Sequence, residues 1–130
     1  MRTLSIFLSL IVSCGLLFSQ PFENILISNT GSPEEVSICI NPKNTSQVVA
    51  GANINFFYYS SNGGYGWTSG VLQSNTYGVW GDPTIIADTA GNFYFFHLSN
   101  PPGGSWIDRI VCQKSTTGGG SGNKPCHFFA

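Results

Sequence analysis

A chain of 130 residues with a formal net charge of −1 and only 8% charged side chains has room for one domain. That balance offers no electrostatic basis for binding nucleic acid or an anionic membrane. A hydrophobic share of 42%, with 14% aromatics, excludes a disordered chain, and 16 glycines among many Asn and Ser fit an all-β extracellular domain rich in turns.

Arg2 precedes an almost uninterrupted apolar run from Leu4 to Phe18, which Ser19, Gln20 and Pro21 close. A basic start, a short apolar core and a small residue at its end describe a secretory signal peptide over residues 1–19, cleaved after Ser19. The run is shorter than the ~20 residues of a membrane span. The alternative takes Ile11-Val-Ser-Cys14 as a lipoprotein box with Cys14 lipidated, although the apolar run continues through Gly15 to Phe18. Either way the sequence predicts a protein that is secreted, periplasmic or held at the cell surface.

The remaining thiols are Cys39, Cys112 and Cys126, an odd number without a Cys-x-x-Cys pair. No disulfide framework, metal site or redox cofactor is expected from them. Cys39 and Cys112 read as small apolar core residues on strands. Cys126 and His127 are adjacent rather than at ligand spacing.

In chain order, Ile25, Leu26 and Ile27 suggest an edge strand in a lead-in over 24–32. Glu35-Val-Ser-Ile-Cys-Ile-Asn41 alternates as a strand, and residues 42–46 are a turn. Residues 47–53 and 55–60 are expected as the second and third strands, and 67–72 as the fourth. Between the last two lies Ser60-Ser-Asn-Gly-Gly64, and Asn-Gly between two apolar runs is a strong hairpin signal. The pattern then begins again. Asp82-Pro-Thr-Ile-Ile-Ala-Asp88 echoes 35–41, offset by 47 residues (37 to 84). Residues 89–92 are its turn, 93–99 and 108–115 its next strands, and 100–106 an inserted Pro-Pro-Gly-Gly loop. Ser115-Thr-Thr-Gly-Gly119 stands where the first hairpin turn stood, offset by 55 residues (60 to 115).

A four-stranded unit repeating near ~45 residues is the signature of a β-propeller blade. Ser60-x-Asn62-x-Gly64-x-Gly66-Trp67 resembles the Asp box of bacterial sialidases and related BNR-repeat proteins, Ser-x-Asp-x-Gly-x-Thr-Trp. Asn62 stands at the Asp position and Gly66 at the Thr. Ser115 to Gly119 resembles the front half of a second box, with Thr117 at the Asp position. The resemblance spans 35–119 and implies an all-β fold of antiparallel four-stranded blades, one complete and most of a second. Residues 20–119 are thus expected as a partial propeller. Residues 120–130 lack the returning strand of the repeat and read as an irregular tail, truncated or frame-shifted.

In such a meander the turns alternate between two ends. The resemblance implies that the Asp boxes, with Ser60, Asn62, Gly64, Trp67, Ser115 and Gly119, are structural, and that any substrate lies at the opposite end. The long loops there carry Tyr77, Trp80, Asp82, Trp106, Asp108 and Arg109. Aromatic faces suit sugar rings, while carboxylates and Arg suit hydroxyls or an acidic sugar's carboxylate. The competing reading has Trp80 and Trp106 packing loops between blades and Asp82-Pro83 opening a strand. Trp67 is expected as a core peg between stacked sheets, with Ser60 and Asn62 bonding the hairpin backbone. His97 is expected as a hydrogen-bonded packing residue.

Sialidases as a family clamp the sugar carboxylate with three arginines. The mature chain would hold only Arg109, and Arg109-Ile110-Val111 is not the family's Arg-Ile-Pro. The sequence therefore predicts a piece of a secreted sialidase-like glycoside hydrolase, inactive by itself. The alternatives are a non-catalytic Asp-box module that binds glycan or protein at the cell surface, and a small β-domain whose repeat is coincidental.

Overall fold

The computed structural model describes residues 22–117. The expected signal peptide over 1–19, Cys14, Gly119, Cys126, His127 and the tail over 120–130 lie outside the described residues. Within them the chain is all-β. Strands β1 (Ser37–Ile40), β2 (Val48–Ala52), β3 (Phe56–Ser60) and β4 (Thr68–Val71) form an antiparallel meander. Strands β5 (Thr84–Ala87), β6 (Phe93–Leu98) and β7 (Ile110–Ser115) form a second, three-stranded one. Every strand expected between 35 and 115 is present, shortened by one to three residues at its ends. The lead-in is different. Residues 24–32 form no strand, because Leu26 is exposed and the nearby polar groups bond locally, Thr30 N–H donating to Ser28 Oγ.

The two sheets pack face to face. Alternation along the strands turns Val49 and Phe57 toward the second sheet, where with Leu72 they meet Ile85, Phe93 and Phe95. These six residues are the main core, and each large side chain so buried contributes about 1.5–3 kcal/mol. Gly51 makes the close approach possible. A Cβ there would lie 2.5 Å from the Phe95 ring, so only glycine lets that ring lie flat on β2. Polar links fix the same junction: Ile85 N–H donates to Ser37 Oγ at 3.0 Å, and Asn41 Nδ2 donates to Gly91 O at 3.3 Å.

The repeat is geometric as well as sequential. Asn41 Oδ1 accepts Lys43 N–H at 2.9 Å, and 47 positions later Asp88 Oδ1 accepts Ala90 N–H at 2.9 Å. Glu35 and Asp82, at the same offset, both take left-handed backbone, φ 50° and 51°. Ser60 Oγ donates to Asn62 Oδ1 at 2.8 Å, and Ser115 Oγ shares a hydrogen with Thr117 Oγ1 at 3.1 Å. The units also face the same way. The strand face that β2 turns outward with Ala50 and Ala52 corresponds to the face that β6 turns inward with Phe95 and His97.

Inside the second unit, His97 and Gln113 are buried among apolar neighbours. His97 Nδ1–H donates to Leu98 O at 2.8 Å, which leaves Nε2 to accept Gln113 Nε2–H at 3.0 Å. That bears out a hydrogen-bonded packing role. Burial holds the His97 pKa below its ordinary value. Cys39 packs partly buried at the core's edge, but Cys112 is exposed and not a core residue. Strand alternation explains the difference, since Val111 and Gln113 take the inward positions of β7 and Cys112 the outward one.

Candidate functional site

The glycine-rich hairpin that carries the family resemblance is chemically self-contained. Ser60 Oγ accepts the N–H groups of Gly64 at 2.9 Å and Asn62 at 3.3 Å, and donates to Asn62 Oδ1. Asn62 Oδ1 also accepts Gly66 N–H at 2.8 Å, and Trp67 Nε1–H donates to Gly64 O at 2.7 Å. Gly63 and Gly64 supply the positive φ the turn requires, 74° and 94°. Gly63 N–H reaches Ser46 O at 2.8 Å, so this hairpin and the 42–46 turn share one end of the sheet. Trp67 is half-buried, but not between the sheets. It packs on the outer face of the first sheet against Ala50, Ala52 and Tyr58, because Thr68 pairs with the inward Tyr59 and alternation turns the preceding residue outward.

At the opposite end a cleft of about 400 Å³ opens. Trp80, Asp82 and Trp106 line it, together with Glu35, Asn53, Ile54, Leu98 and Ile107. The two indoles meet edge to face, centroids 5.8 Å apart at 80°, and both present exposed surface. This is not burial between sheets. Trp80 is set by a short extension of the sheet, Trp80 N–H to Leu98 O at 2.9 Å and Leu98 N–H to Gly81 O at 3.0 Å. Trp106 rides on the inserted loop, whose return is fixed by Ile107 N–H to Ser99 O at 3.2 Å.

Asn53 ties the acidic wall together. Its Oδ1 accepts Asp82 N–H at 3.0 Å and its Nδ2 donates to the Glu35 carboxylate. Glu35, Asp82 and Ile107 all have left-handed backbone at φ 50–51°, and all three line the cleft. Such conformations are costly away from glycine, most of all for a β-branched residue, and they concentrate at functional sites.

The other three predicted residues stand beside the cleft and engage one another. Arg109 holds Asp108 in a two-pronged ion pair, Nε to Oδ1 at 2.9 Å and Nη2 to Oδ2 at 2.6 Å. Asp108 Oδ1 also accepts Ser99 Oγ–H at 2.6 Å, and these partners hold its pKa down at about 2, Arg109 foremost. The guanidinium lies 5.6 Å from the Tyr77 ring centre. The expected set therefore divides into a cleft trio, Trp80, Asp82 and Trp106, and a neighbouring trio in which the ion-paired Asp108 and Arg109 stand beside the Tyr77 ring.

Glu35, Asn53, Ile54 and Ile107 were not anticipated. For Glu35 a signal existed, since the offset that pairs Ser37 with Thr84 also pairs Glu35 with Asp82. Asn53 closes a strand and carries no such mark. Among the described residues no cluster of three or more His, Cys, Asp or Glu could hold a metal ion, and no helix is long and apolar enough to cross a membrane. Comparisons with protein-family models, curated proteins and solved structures return no match.

Proposed function

We propose that the chain supplies two Asp-box units of a sialidase-like propeller and binds carbohydrate in the cleft at the loop end without hydrolysing it. The carrying observation is that Trp80, Asp82 and Trp106 share one cleft on the end away from the Asp-box hairpin. An indole face lies flat against the C–H face of a pyranose, and the Glu35 and Asp82 carboxylates accept its hydroxyls. The reading includes export through residues 1–19 and a glycan partner outside the cell.

Arg109 decides between the enzymatic and the binding forms of this reading. It is the single arginine of the described residues, and both prongs of its guanidinium are spent on Asp108. An acidic sugar would meet two carboxylates in the cleft and no free guanidinium, so neutral and amino sugars are favoured over sialic acid. Titration calorimetry of the full chain with neutral and sialylated oligosaccharides tests this. Binding of neutral glycans, lost in Trp106→Ala, supports the proposal. Preference for the sialylated ligand, or release of fluorophore from a fluorogenic sialoside, overturns it.

A further inference from the structure

On the outer face of the first sheet, away from the cleft, the lead-in segment roofs two cavities of about 220 and 230 Å³. Tyr58 and Ser28 line both. Tyr58 is 3% exposed, and its hydroxyl is buried without a hydrogen-bond partner. A buried phenol that neither donates nor accepts is unusual enough to require an explanation, and a role in pairing with a small molecule is one. The surroundings define that ligand's chemistry. Thr30 and Ser69 add hydroxyls to the first cavity while Phe56 and Val71 add hydrocarbon, and no Lys, Arg, His, Asp or Glu among the described residues lines either cavity.

We infer that this is a second binding site, for a small uncharged molecule with an apolar body and one hydroxyl or carbonyl that pairs with Tyr58. Each cavity equals roughly seven waters in volume, which admits a single ring and excludes an oligosaccharide. The absence of a charged lining excludes anions and cations, whose desolvation nothing there would offset. The site is independent of the cleft and of the carbohydrate reading.

The test uses the full chain and four probes of one shape: benzyl alcohol, toluene, benzoate and benzylammonium, followed by nuclear magnetic resonance titration of amides 27–30, 58 and 69–71. Benzyl alcohol is expected to bind at least about tenfold more tightly than the charged pair, and about tenfold more weakly to Tyr58→Phe. Tyr58→Phe deletes only the unpartnered hydroxyl, so it should melt no lower than the parent. Benzyl alcohol should raise the melting temperature of the parent more than that of the variant. Equal affinity for neutral and charged probes, or equal affinity of parent and variant, overturns the inference. So does the absence of any shift at these amides, which would mean that the hydroxyl is met by trapped water.

Discussion

Replacing Asn62 isolates what the hairpin over residues 60–67 owes to one oxygen. Gly66 N–H can only donate, so the atom it meets at 2.8 Å is the amide oxygen, and Ser60 Oγ–H reaches the same oxygen. Asn62→Ala removes both bonds. The turn is exposed at Gly66, so water recovers part of the loss there, while Ser60 is 1% exposed and recovers little. At about 1 kcal/mol per net bond, the cost is about 1–2 kcal/mol, the range found for deleted helix caps of the same chemistry. Asn62→Asp keeps both acceptor contacts and makes them charge-assisted, so it should equal the parent or exceed it by up to about 1 kcal/mol. Urea denaturation followed by tryptophan fluorescence reads this as shifts of midpoint at unchanged slope. A neutral Asn62→Ala, or an Asn62→Asp that loses more than about 0.5 kcal/mol, would refute the assignment of that oxygen as the turn's organiser.

Three further outcomes follow from the packing and the charges. Gly51→Ala places a methyl 2.5 Å from the buried Phe95 ring and 3.1 Å from Ile85 Cδ1, so it should destabilise by about 1–3 kcal/mol in the same denaturation assay. No loss there would mean that the sheets do not pack as described. His97 is held neutral by burial, so the unfolded chain binds its proton first. Stability should therefore fall as pH drops below the ordinary histidine value of about 6.5, and His97→Gln should flatten that dependence in melting curves. Asp88 accepts Ala90 N–H, Asn92 N–H, Asn92 Nδ2 and Tyr94 Oη–H, with the Asn92 side chain the largest influence, which holds it well below the usual carboxylate range. Its stabilisation should persist above the unfolded value near 4 and fade only as pH falls further, and carboxyl-carbon resonances should show Asp88 protonating only below that value.

Local chemistry made most of this fold legible. Strands β2 and β3 read clearly because Val48, Val49, Phe57 and Tyr58 are β-formers bounded by a Pro-Lys-Asn turn and an Asn-Gly turn. Asn41 and Asp88 announced their own turns, since a short side-chain oxygen bonds the backbone two residues on. What did not read were features that depend on the partner surface. Cys112 looked like any buried thiol, yet no sheet among the described residues covers its side of β7. Ile25 to Ile27 had strand composition but no neighbour to pair with. Trp67 was placed on the wrong face because its side is set by the register of β4 on β3, which turns it outward with Ser69 and Val71 on the Tyr58 side. In the cleft, the tryptophans and Asp82 were legible as aromatic and acidic residues on long loops. Asn53 was not, because its role is to bridge Glu35 and Asp82, which lie 47 positions apart in the chain.

The three tryptophans allow the central claim to be tested in one titration. Trp80 and Trp106 belong to the cleft and Trp67 to the clasp at the other end, so each indole N–H resonance reports on one end of the sheets. Adding a neutral oligosaccharide to the ¹⁵N-labelled full chain should shift the Trp80 and Trp106 signals together along one saturable curve and leave Trp67 in place. A shift confined to Trp67, or saturation with all three unmoved, contradicts a carbohydrate site at the loop end.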